Sequence, residues 1–281
     1  MSVLATLSLP WPFDYQYMQL ALAAGLVVGA SAPLIGVFLV EKRLSLMGDG
    51  IGHVAYTGVA VGFLVGVWPV WSALLIAVAG ALAIEWVRAR GRAPGDLALA
   101  LFLYGGLAAA VVIIGKANVG LAASAYLFGQ ILTVTTSDVL VVVGLGIGIL
   151  IALGIAGRAM FAVVLDEESA RVAGLPVAGC NALLSVLTAV TVVAAMRVVG
   201  VLLIAALMVL PVASARLLAR SFRGTIVLSV SIGMIAVVGG LIAARGWALA
   251  PGGAIVLVAV LIFVLAAAMP RLGQQTARTD G

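Results

Sequence analysis

Charge is what this sequence has least of. Only 9% of its residues are Asp, Glu, Lys or Arg, 65% are apolar or aromatic, and mean hydropathy is +1.32. A soluble domain carries about 25% charged residues. So few charges cannot cover a water-soluble globule of 281 residues. A soluble enzyme, a disordered chain and an ordinary DNA-binding domain are therefore excluded, and no nucleic-acid partner is expected. The single cysteine, Cys180, excludes an internal disulfide and a thiolate metal cluster. The single histidine, His53, excludes the H-E-x-x-H zinc-protease motif. There is no G-x-x-x-x-G-K-[ST] phosphate loop and no G-x-S-x-G elbow. The chain is thus not expected to be an enzyme or to hydrolyse ATP by itself. Carboxylates within the apolar runs are scarce: Glu85 lies near the end of one and Asp49 near the start of another. Ion-driven pumps need ionisable groups in mid-membrane, so the energy for any transport is assigned to a separate subunit.

What is there is a series of uncharged runs of about 20 residues, the length that crosses a bilayer as a helix. Nine are expected, at 18–40, 50–67, 69–87, 97–115, 139–157, 177–196, 198–215, 225–244 and 252–269. Trp68-Pro69 divides the long run 54–84. The expected fold is an all-α, polytopic transmembrane bundle in the cytoplasmic (inner) membrane. One integral domain covers 18–269, after an extracytoplasmic segment 1–17 and before a cytoplasmic tail 270–281. The first seventeen residues lack a basic stretch and hold two prolines, so a cleaved signal peptide is not expected. With the N-terminus outside, 12 of the 15 basic residues fall in cytoplasmic segments. The polar segment 117–137 is read as re-entrant or as a surface helix, because counting it as a tenth span would erase that asymmetry.

Four constellations carry chemistry. Gly48-Asp49-Gly50-Ile51-Gly52-His53 puts a carboxylate and an imidazole four residues apart, on one helix face. Together they suit a divalent first-row cation. The competing reading is a helix cap at Asp49 and interfacial packing at His53. Thr57, one turn on, offers an oxygen or simply packs. Gly58, Gly62 and Gly66 form a ladder of small residues that lets helices approach closely. The loop 158–176 holds the densest cytoplasmic charge: Asp166, Glu167, Glu168 and Arg171. Residues 165–173 can form a short helix with Asp166 at its start and Gly174 as its stop. The apolar Phe161, Val163, Val164, Leu165, Val172 and Leu175 suggest docking to another protein. Arg216, Arg220 and Arg223 are read as a positive-inside anchor or a contact for anionic lipid.

RLSLMGDGIGHVAYTGVAVGFLVG (43–66), YLFGQILTVTTSD (126–138), LDEESARVAGLPV (165–177) and MRVVGVLLIAALMVLPVASARLLARSF (196–222) resemble the zinc/manganese ABC importer permeases, in order and over about 18–269. The resemblance implies a homodimer with a translocation path along the subunit interface. It also implies a cytoplasmic ATPase subunit docked on Asp166, Glu167, Glu168, Arg171 and Gly174, and an extracytoplasmic metal-binding receptor. Asp49 and His53 fall on the family's metal-handling pair. Zinc or manganese is then the transported ion, with no stably bound cofactor. The pattern departs at Gly50 and Tyr56, where small residues such as alanine are usual. The other readings are an ion-gradient-driven secondary carrier, an importer of metal chelates or cobalamin, and a membrane scaffold without transport.

Overall fold

The computed structural model describes residues 11–91, 95–130 and 134–269, so the tail 270–281, with Arg271 and Arg278, and also Arg92 lie outside the described residues. The described residues form eleven helices and no strand: α1 (Gln16–Glu41), α2 (Met47–Val65), α3 (Pro69–Ala89), α4 (Gly95–Ala117), α5 (Gly120–Phe128), α6 (Thr136–Leu165), α7 (Glu167–Val172), α8 (Val177–Ala195), α9 (Val201–Leu218), α10 (Phe222–Trp247) and α11 (Pro251–Ala268). Eight are long and apolar enough to cross a membrane. The ninth expected span is α2. Its Asp49, His53 and glycines make it less apolar, and it is enclosed by α3, α4, α8 and α9.

Local chemistry sets the boundaries. Pro69 and Pro251 open α3 and α11 in the first turn, where a missing N–H costs nothing. Thr135 and Asp138 form a reciprocal capping box at the start of α6. Ser221 caps α10 through the Gly224 N–H. α6 departs from expectation. It runs 30 residues, to Leu165, through the first part of the supposed loop 158–176. No Gly or Pro interrupts 158–165, and Met160, Val163 and Val164 are buried. The connector proper begins at Asp166.

Contacts at the helix ends define two rims. On the first, Lys42 meets Glu167, Arg88 meets Glu85, and Arg216 meets Glu41. On the second, Arg245 meets Asp14 and Tyr17, and Arg197 meets Asp138. α4 ends and α6 begins on the second rim. The intervening α5, nine residues long, is far too short to span at 1.5 Å per residue. Segment 117–137 therefore returns to the side it left, although 131–133 lie outside the described residues. Its end is fastened to the α8–α9 turn: the Gln130 N–H donates to the Arg197 carbonyl, and Gly129 (φ +73°) lies against Gly200 (φ +93°). A side chain at either glycine would strike the other segment's backbone.

Candidate metal-handling site

α2 starts within the bundle. Gly48 packs on Ala205 and Met208, and Gly52 on Val201. Val54 packs on Gly80, halfway along α3. Asp49 and His53 therefore lie near mid-depth, deeper than a place at the start of a span suggests. Asp49 occupies the first turn of α2 but is not its cap, and Leu46 precedes the helix without a side-chain cap bond. The capping reading of Asp49 therefore falls. One turn apart, the two side chains are half-buried and close enough to interact electrostatically. His53 Nδ1 is buried with no hydrogen-bond partner. An imidazole nitrogen in that condition costs free energy unless a ligand engages it. No group of three or more His, Cys, Asp or Glu that could enclose a metal occurs among the described residues. Asp49 and His53 thus stand as a pair, without a third such side chain beside them among the described residues.

Thr57 packs as a tie between helices. Its hydroxyl donates to the Gly106 carbonyl at 2.6 Å and lies 3.2 Å from the His53 carbonyl, tying α2 to α4. α4 approaches so closely that a Cβ at Gly106 would sit 2.9 Å from His53 backbone carbon. Of the glycine ladder, Gly58 and Gly62 are packing positions against Ala73, Ser72 and Pro69 of α3. Gly66 is instead the left-handed stop of α2, at φ +76°. The departures from the motif are accommodated. Gly50 has room for a methyl group, and Tyr56 is buried.

At the first rim, α7 forms where the charge cluster foretold. Asp166 accepts from the Glu168 and Ser169 N–H groups and from the Ser169 hydroxyl. The Ser169 bonds hold its carboxyl below the usual carboxylate range. Gly174 follows α7 at φ +78°. Glu167 pairs with Arg171 at 3.6 Å and with Lys42 at 3.3 Å, while Glu168 is exposed. Of the apolar positions, Val163 and Val164 are consumed by the bundle, leaving Leu165 and Val172 exposed. Beside α7 lies a notch of about 390 Å³ lined by Glu85, Trp86, Arg88, Glu167, Arg171 and Asn181.

The profile of the ABC 3 transport family matches residues 14–270. This chain belongs to that family. It is 32% identical over 254 residues to the manganese transport system membrane protein MntC of Halalkalibacterium halodurans, covering 90% of this chain and 87% of that one. It is 29% identical over 249 residues to the high-affinity zinc uptake system membrane protein ZnuB of Haemophilus influenzae, covering 87% and 94%. Its fold superimposes on PsaBC from Streptococcus pneumoniae, solved in complex with Fab, with TM-score 0.82, 32% identity, and 90% and 91% coverage. The chain is a multi-span membrane protein, as its composition required.

Sequence reading missed two groups of residues. Lys42, its side chain only 9% exposed, donates to Glu167 and Asn181 and so joins α7 to α1 and α8. At the second rim, buried Asp138 receives Arg197 Nε at 3.1 Å and Nη2 at 2.8 Å, and the same guanidinium lies over Tyr126. Lone charges amid apolar sequence were the available signal. Their partners are 59 to 139 residues away, beyond any local pattern.

Proposed function

We propose that this chain is the permease subunit of an ATP-driven importer that passes manganese or zinc into the cytoplasm by alternating access. The observation that carries the reading is the Asp49/His53 pair at mid-depth of the bundle, with His53 Nδ1 unsatisfied. Ionisable residues at that depth are costly and mark ion pathways. Two protein ligands completed by water can bind a cation and still release it. The relatives' names, a manganese and a zinc transport system membrane protein, support the cargo. The basic residues support the orientation. Lys42, Arg43, Arg88, Arg90, Arg158, Arg171, Arg216, Arg220 and Arg223 gather at the first rim, against Lys116, Arg197 and Arg245 at the second. The first rim is thus cytoplasmic and the N-terminus outside.

The absent phosphate loop supports a separate ATPase, for which Asp166, Glu167, Glu168, Arg171 and Gly174 form the docking and coupling segment. Two copies of the chain enclose the path beside α2 and α4, where Tyr104, Val111 and Val112 are exposed. A receptor delivers the cation at the second rim. The deciding experiment is uptake of radioactive Mn²⁺ or Zn²⁺ by the complex in vesicles. Asp49→Ala and His53→Ala are each expected to lower uptake at least about tenfold, the scale on which even the outer partners of metal ligands act. The variant permease should still co-purify with the ATPase. Undiminished uptake by both variants would reject the site. Gradient-driven accumulation by the chain without ATPase would reject the importer.

A further inference from the structure

We infer that this chain carries a binding site for one anionic phospholipid at its first rim, between α1, α6 and α10. This goes beyond the transport reading, on which only the exclusion of a second copy as occupant rests. The site is a groove of about 530 Å³. Phe38, Phe161 and Phe222 wall its end, with ring centroids 5.8 Å apart for Phe38–Phe222 and 4.5 Å for Phe161–Phe222. Leu34, Leu153 and Ile226 continue the apolar wall. Gly154 and Gly157 line it without side chains, and a Cβ at either would meet nothing within 4 Å. The opening on the rim is edged by Arg158 and Arg223. Both are exposed, and neither has an ion-pair partner among the described residues. Arg216 differs, being paired with Glu41 at 3.6 Å.

Charge complementarity selects the occupant. Two uncompensated guanidiniums call for an anion, and their planar forks suit phosphate oxygens. The walls below them call for hydrocarbon, which a free phosphate does not supply. A zwitterionic lipid supplies hydrocarbon but cancels its own phosphate charge. An anionic phospholipid satisfies both: its acyl chain lies along Leu34, Leu153 and Ile226, and its headgroup phosphate meets Arg158 and Arg223. A second copy of the chain is a poor candidate, because Asp49 and His53 lie beside α4, whereas these walls belong to α1, α6 and α10.

The test is native mass spectrometry of the purified permease–ATPase complex given equal amounts of phosphatidylglycerol and phosphatidylcholine. The wild type is expected to retain phosphatidylglycerol preferentially, with about a fivefold contribution from each arginine. Arg158→Gln with Arg223→Gln should abolish the preference. Arg220→Gln, a charge on the same rim that does not line the groove, should leave it intact. Gly157→Leu should fill the groove and reduce retained lipid with the arginines in place. Inorganic phosphate at millimolar concentration should not displace the lipid. Equal retention of both lipids, an unchanged preference in the double variant, no effect of Gly157→Leu, displacement by phosphate, or cross-linking of two copies through Gly157→Cys would each overturn the proposal.

Discussion

Single residues here do work that their neighbours in sequence do not reveal. Asp166 is a good cap in any loop, but only the fold shows that it organises α7. Its carboxyl is held low, so the ordering of α7 is complete above the unfolded-state pKa and fades as pH falls through the lower folded value. Asp166→Ala should accelerate hydrogen exchange at the Glu168 and Ser169 amides at neutral pH. Asp166→Asn should protect them at neutral pH and remove the acid dependence. Asp138 and Arg197 form the opposite kind of pair, withdrawn from solvent. Arg197→Met leaves the buried carboxylate without its partner and should cost about 3–5 kcal/mol in thermal or denaturant unfolding. Adding Asp138→Asn, which keeps an acceptor for the α6 cap, should recover part of that loss. If the second change deepens it instead, the pair is not the source of the cost. That Asp49 and His53 share one helix face was legible from spacing, because both sit on one helical turn, while a metal role was favoured over a cap only by the family resemblance. Lys42, Asp138 and Arg197 were not legible, because their meaning lies in partners from distant helices.

Among elements, the order and extent of most helices could be read from uncharged runs, since each needs about 20 apolar residues to cross. The readings that failed did so where packing overrode composition. α6 extends past its expected end because Met160, Val163 and Val164 are buried. α2 starts deep because glycines let it sink between its neighbours, and no hydropathy window reports depth. Glycine at close approaches is therefore testable by adding a methyl group. At Gly36 a Cβ would collide with the Met208 carbonyl of α9, so Gly36→Ala should destabilise the protein by about 1–3 kcal/mol. At Gly144, within α6, a Cβ meets nothing within 4 Å. Gly144→Ala should be neutral or stabilising by up to about 1 kcal/mol, the difference in helix propensity. Melting temperatures of the two variants moving the same way would contradict this reading of the glycines.

At the scale of the whole molecule, the proposed ATP-driven transport would require that events at the first rim reach the Asp49/His53 pair. One physical connection runs through Lys42. It opens the turn between α1 and α2, the helix that carries Asp49 and His53, and its ammonium is held by Glu167 of α7 and Asn181 of α8. Glu85 of α3 lies close enough to feel both Lys42 and Glu167. In the proposed importer, a displacement of α7 by a docked ATPase would reach the base of α2 through this charge-assisted contact. Such a contact is worth about 1.5–3 kcal/mol. Lys42→Met should lower the metal ions moved per ATP hydrolysed at least about tenfold while hydrolysis by the complex continues, and Lys42→Arg should restore part of the ratio. A purely structural lysine would behave differently. Its loss would reduce assembled complex, and with it uptake and hydrolysis together, leaving the ratio unchanged. Measuring both rates on the same vesicles separates the two, because only a broken connection lets the ATPase turn over while the ion stays outside.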